Sequence, residues 1–203
     1  MRNAYAVLGF AFIIVFGTAF VLYERAHAPT VSDFENGNLE DNSEIMTFTL
    51  TSPAFDEGKK IPSLYTCEGD NINPPLTIEG VPEGTESLVL VMDDPDIPQE
   101  IKEARGLEKF NHWVVYNLPK DTKTIEEGDV TLSMGENTAG QSAYTGPCPP
   151  SEYQPTEHRY VFRLYAVSGI LNFIKAPTLD EVEEAAKGMM LDKAELMGVY
   201  EKN

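Results

Sequence analysis

Short runs of β-branched, aromatic and aliphatic residues recur after residue 45, each closed by Pro, Gly, Asn or Asp, and they leave little room for long helices. The runs are Met46-Thr47-Phe48-Thr49-Leu50, Leu88-Val89-Leu90-Val91-Met92, Trp113-Val114-Val115-Tyr116 and the stretch from Tyr160 to Val167. Segments of this length and composition read as strands. Leu88–Met92 and Trp113–Tyr116 lack polar alternation, which predicts central strands covered on both faces. Turn signals separate the runs: Pro74-Pro75, Pro82-Glu83-Gly84, Asp94-Pro95-Asp96 and the long stretch from Gly135 to Pro155. One helix is marked near the end. Thr178 and Glu181 make a capping box, and Leu179, Val182, Ala186, Met189 and Met190 recur at helical spacing despite Gly188. The spacing predicts a helix over Thr178 to Asp192, packed on the sheet near one end, followed by a short strand from Leu196 to Tyr200. The expected class is mostly β with one or two peripheral helices, and a hydrophobic share of 42% suffices for one core of ordinary size.

The N-terminus reads differently. Residues Ala4 to Tyr23 carry no charge, and twenty residues of helix at about 1.5 Å each span the apolar core of a bilayer. Residues 1–28 are therefore expected to be a membrane anchor, with the rest of the chain outside the cytoplasm. The alternative is a signal segment cut after Ala26-His27-Ala28 and a secreted product; the apolar run exceeds the ~7–15 residues of an ordinary signal core, and Pro29 follows the cut. Residues 29–45 hold five acidic residues and no Lys or Arg, the composition of a flexible linker. Residues 46–203 form the expected domain. Fifteen Lys and Arg against 33 Asp and Glu give a formal charge of −18, with no basic cluster, so a nucleic-acid partner is not expected.

Chemistry gathers beside the strands. Asp94-Pro95-Asp96 ends one run, His112-Trp113 opens another, and His158-Arg159-Tyr160 opens a third, eight residues after Pro150. Singly each has an ordinary structural explanation, as a turn or as a packed and hydrogen-bonded histidine. Neither Gly-x-Ser-x-Gly nor Cys-x-x-Cys occurs, so no nucleophile, metal or cofactor is expected and the protein reads as a non-enzyme.

Taken together these segments resemble a known family. Asp94-Pro95-Asp96, His112-Trp113-Val114-Val115-Tyr116-Asn117, Gly146-Pro147-Cys148-Pro149-Pro150 and His158-Arg159-Tyr160 stand in the order seen in phosphatidylethanolamine-binding proteins. Tyr65-Thr66-Cys67-Glu68-Gly69 with Pro74-Pro75-Leu76 is similar to the prokaryotic, Raf-kinase-inhibitor-like branch, and the resemblance covers residues 46 to 201.

The resemblance implies a β-sandwich with a pocket for a small anion such as phosphate, or for a phospholipid head group. Its ligand-binding residues would be Asp94, Asp96, His112, Trp113, Pro150, His158 and Tyr160, with Asp94 orienting an imidazole and Arg159 bracing the Asp94 loop. The implied role is a binding module that inhibits a kinase or protease target, as some family members do. Alternatives are a hydrolase using His112 and His158 as an acid–base pair, or a protein-interaction module built on the Gly135–Pro155 loop. Two departures from the family pattern stand out: a charged stretch from Gln99 to Lys109, expected to be a solvated insertion at the pocket rim, and Ser151 to Glu157 in place of a glycine-rich approach to His158. Cys67 and Cys148 are expected to be bridged in an extracytoplasmic domain, with two buried thiols as the alternative.

Overall fold

The computed structural model describes residues 47–203; the expected anchor and the linker lie outside the described residues. Seven strands form two antiparallel sheets. The smaller contains β1 (Thr49–Thr51), β2 (Leu76–Glu79) and β5 (Thr124–Ile125) in the order β1-β2-β5. The larger has the order β4-β3-β6-β7, with β3 spanning Ser87–Asp94, β4 Phe110–Pro119, β6 Glu157–Val167 and β7 Met190–Glu201. Among the described residues two α-helices, α1 (Gln99–Arg105) and α2 (Leu179–Ala186), and one short 3-10 turn (Ser63–Tyr65) interrupt the strands.

Strand periodicity builds the layers. Leu88, Leu90 and Met92 of β3, with Phe162 and Leu164 of β6, face Leu50, Leu76, Ile78 and Ile125 of the smaller sheet and form the main core. The intervening Val89 and Val91, with Val114, face the other way and pack against Leu179, Val182 and Ala186 of α2. Every residue of β3 is buried, which explains why its sequence shows no polar alternation. Thr178 caps α2 as its sequence predicts: its hydroxyl accepts from the Glu181 N–H at 3.3 Å and the Glu181 carboxylate accepts from the Thr178 N–H at 2.8 Å.

Three expectations are corrected. The segment Trp113–Tyr116 is not a central strand; β4 lies at the sheet edge, although both its faces are covered. Residues 133–135 shield that edge, with Tyr116 N–H donating to the Ser133 carbonyl and Gly135 N–H to that of Val114. The helix predicted to Asp192 stops at Ala186, because Lys187 leaves helical dihedrals and Gly188 takes φ 81°. Finally, the last strand starts at Met190 rather than Leu196. Pairing with β6, from Val167↔Met190 to Glu157↔Glu201, draws Leu191–Glu195 into the sheet against their helical preference.

Among the described residues no helix is long and apolar enough to cross a membrane. The ends of β3 and the starts of β4 and β6 meet at one end of the larger sheet, where Asp94, Phe110 and Glu157 lie.

Candidate functional site

Local geometry aims the side chains. In β6 alternation puts His158 and Tyr160 on the sandwich side and Arg159 on the other. In β4 a bulge does the aiming: Met92 pairs with Trp113 and Asp93 with Asn111, so His112 is an extra residue without a partner across the strands. Its backbone carbonyl accepts from the Thr145 N–H at 3.0 Å, and its ring Nδ1 lies 2.7 Å from the Thr145 carbonyl. A carbonyl only accepts, so Nδ1 carries the proton and Nε2 of the neutral ring is an acceptor. Asn137, buried in the 135–155 loop, positions Thr145 by donating to the Ala143 carbonyl and the Thr145 hydroxyl.

Asp94 organises the second histidine. One carboxylate oxygen lies 2.7 Å from His158 Nδ1, and the other accepts from the Asp96 N–H at 2.8 Å. Burial pushes the His158 pKa down, but the Asp94 hydrogen bond and charge together outweigh it and leave the pKa raised. For His112 burial prevails, and its pKa is lowered even though the Thr145 carbonyl and Asp94 act against this. The two histidines are thus driven apart, one toward imidazolium and one toward neutral imidazole. His158 Nε2 and the Tyr160 hydroxyl are buried and meet no partner at good hydrogen-bond geometry among the described residues, although the Pro155 backbone acts on the His158 ring and Asp94 and the Cys148 backbone act on the phenol. Burial, and secondarily Asp94, raises the Tyr160 pKa, so the phenol keeps its proton. Its ring stands edge-on to His112 with centroids 5.2 Å apart.

Asp94, His112, Pro150, His158 and Tyr160 line one cavity of about 240 Å³. Asp96 and Trp113, grouped with the ligand-binding residues in the sequence, do not line it. The Asp96 carboxylate turns to Arg159, accepting from Nε at 2.8 Å, Nη2 at 2.6 Å and the backbone N–H at 3.0 Å. This fork, with burial opposing it, holds the Asp96 pKa low and ties the Asp94 loop to β6. Trp113, fully buried, stacks edge-on against Tyr144 in the main core. Sequence reading missed Ile97, Pro98, Ile101, Arg105 and Phe110, which wall the cavity, and Thr145 at its base. The alternation Phe110-Asn111-His112 was a usable signal for Phe110; nothing local pointed to Thr145.

A disulfide braces the cavity wall at Cys148. Cys67 and Cys148 are joined with Cα atoms 5.4 Å apart, and Cys67 N–H donates to the Pro147 carbonyl at 3.1 Å. Gly146 packs where no side chain fits, since a Cβ there would lie 2.3 Å from the Tyr65 carbonyl oxygen. A larger cavity, about 340 Å³, lies between β1 and β7 around Phe48, Phe55 and Leu196, away from the histidines. It contains none of the unpartnered buried donors, so the smaller cavity is the candidate site. Among the described residues no cluster of three His, Cys, Asp or Glu is placed to hold a metal.

Comparison with known proteins agrees with the geometry of the fold. The family model described as phosphatidylethanolamine-binding protein matches residues 51–201. A UPF0098 protein of Chlamydia pneumoniae is 43% identical over 155 residues, covering 76% of this chain and 99% of the relative. A UPF0098 protein of Methanothermobacter thermautotrophicus is 39% identical over 160 residues, covering 75% and 98%. The crystal structure of a phosphatidylethanolamine-binding protein homolog from Chlamydia trachomatis superposes with a TM-score of 0.71 at 40% identity, covering 77% of this chain and 99% of that one. Escherichia coli YbcL, described as a member of the mammalian family, superposes at 0.66 with 26% identity, covering 77% and 99%. With the family model spanning most of the chain and relatives this similar along their whole lengths, the protein belongs to the phosphatidylethanolamine-binding protein family.

Proposed function

We propose that the domain is a binding module for a small oxyanion, with phosphate or a phosphate ester as the ligand class. The observation that carries this reading is the pair of buried donors, His158 Nε2 and the Tyr160 hydroxyl, which meet no partner at good hydrogen-bond geometry among the described residues and share one cavity. Buried polar groups are ordinarily paired, so two orphans in one cavity favour a ligand with acceptor oxygens. Asp94 supports the reading by favouring the imidazolium form of His158, which adds charge to the hydrogen bond. His112 contributes an acceptor through Nε2, so the site complements an oxyanion that still carries one proton. Hydrogen phosphate fits that pattern and sulfate does not. Calorimetry on the full chain in detergent tests this: saturable phosphate binding, with sulfate weaker, is expected. Equal binding of both anions, or of neither, contradicts it.

One observation favours a second reading. A protonated His158 beside a neutral His112 is the arrangement of a general acid and a general base, which would suit hydrolysis of an ester. Release of nitrophenol from p-nitrophenyl phosphate, abolished in both His112→Ala and His158→Ala, would establish that reading over the first. We further propose that residues 4–23 tether the domain to a membrane, on the strength of the twenty uncharged residues.

A further inference from the structure

The cavity has two unlike parts. Its base carries the histidines, Tyr160 and Asp94, whereas its outer wall is mostly hydrocarbon, from Ile97, Ile101, Phe110, Pro149 and Pro150, with Arg105 as the one charged residue among them. The stretch from Gln99 to Lys109 is thus more than the solvated insertion expected from its charges. Glu100 and Glu103 are exposed, but the same turn carries Ile101 toward the cavity, and Ile97 just before it is buried. Phe110, two residues before His112 in β4, joins them on the same side.

Among the described residues this outer wall carries no carboxylate, and the Arg105 guanidinium there repels a second cation. Among the described residues Asp94 is the one acidic residue lining the cavity, and its two oxygens already accept from His158 and the Asp96 N–H. An ammonium group carried on the ligand would leave water for hydrocarbon without gaining a carboxylate, which costs free energy. An alkyl or aryl group in the same place would gain by burial. We propose that the site prefers a monosubstituted phosphate, or a similar oxyanion, whose substituent is apolar, and discriminates against zwitterionic phosphoethanolamine. The inference rests on the oxyanion reading and adds to it the class of substituent, with Ile101 as a specificity-determining residue.

The test is calorimetry on the full chain at a fixed pH of about 5.5, where monoesters with a second pKa near 6 mostly keep one proton. The ligands are inorganic phosphate, methyl, ethyl and butyl phosphate, and O-phosphoethanolamine. Burial worth about 0.8 kcal/mol per methylene predicts about a fourfold gain in affinity for each added carbon. Ethyl phosphate should bind more tightly than phosphoethanolamine, which has the same two-carbon arm. Ile101→Ser, a change at a partly exposed position of a surface helix, should reduce the gain per methylene within one protein sample, a ratio that global destabilisation does not mimic. Phosphate binding with no gain along the series, or with phosphoethanolamine preferred, overturns the inference while leaving the oxyanion reading intact. If inorganic phosphate and every ester fail to bind, both fall together.

Discussion

Replacing Asp94 by Asn probes the site through a single atom. In the native protein the carboxylate accepts from His158 Nδ1 at 2.7 Å and from the Asp96 N–H at 2.8 Å. An asparagine oxygen can keep the second bond, and its NH₂ then faces Nδ1, so the ring must present Nδ1 as an acceptor and Nε2 as a neutral donor. A hydrogen bond from a charged group contributes about 1.5–3 kcal/mol and a neutral one about 0.5–1.5, so the exchange costs about 1–1.5 kcal/mol of binding. Phosphate affinity should fall by about five- to thirteenfold. The pH profile carries a second signature. His158 has a raised folded pKa, so its pair with Asp94 contributes fully below the unfolded value of about 6.5 and is lost as pH rises through the folded pKa. Calorimetric titrations with phosphate between pH 7 and 9, with affinity expressed per hydrogen phosphate dianion so that the ligand's own ionisation is divided out, should therefore show native affinity declining. Asp94→Asn should be weaker at pH 7 and flat across the range, because the Asp94 bond and charge that raise the His158 pKa are gone and burial, the largest cause, lowers it. An Asp94→Asn protein that binds as tightly as the native one at pH 7, and keeps its pH slope, would refute the reasoning.

Other outcomes follow from the same structure. The Cys67–Cys148 bridge spans a sequence separation of 81, for which the chain-entropy account gives about 4.5 kcal/mol as an upper figure; reduction, or Cys67→Ser with Cys148→Ser, should lower the urea midpoint accordingly. Thr178→Ala removes the α2 cap and should cost about 1 kcal/mol in the same assay. His112, with a lowered folded pKa, should make native stability fall as pH drops below about 6.5, and His112→Leu should shallow that slope. Carbonate washing should leave the full chain in the membrane fraction; release, or an N-terminus beginning after Ala28, would count against the tether.

Much of the fold was legible because burial writes itself into residue patterns. The unbroken apolar run of β3 marked a strand covered on both faces, and Thr178 with Glu181 marked the start of α2 where the structure has it. The end of that helix was harder to read, since Leu191–Glu195 favour a helix locally and become a strand only through pairing with β6. For β4 the pattern reported coverage of both faces but not position in the sheet, because residues 133–135 protect its edge from a distance in sequence. The cavity was visible only as three separated motifs. Alternation in His158-Arg159-Tyr160 correctly put Arg159 on the opposite face, where it forks onto Asp96. Two features left no local trace: the bulge that turns His112 to the same side as Trp113, and the inward turn of Ile97 and Ile101 in a stretch whose charges advertise solvent.

The most direct test of the oxyanion reading is ring-nitrogen NMR of isotope-labelled histidine in the full chain, which has three histidines, during titration with phosphate. Saturable displacement of the His158 Nε2 resonance is predicted, at a Nδ1 resonance still marked by its bond to Asp94, with His112 responding and His27 unmoved. A His158 Nε2 resonance that stays fixed while phosphate is raised to saturating millimolar levels would contradict it.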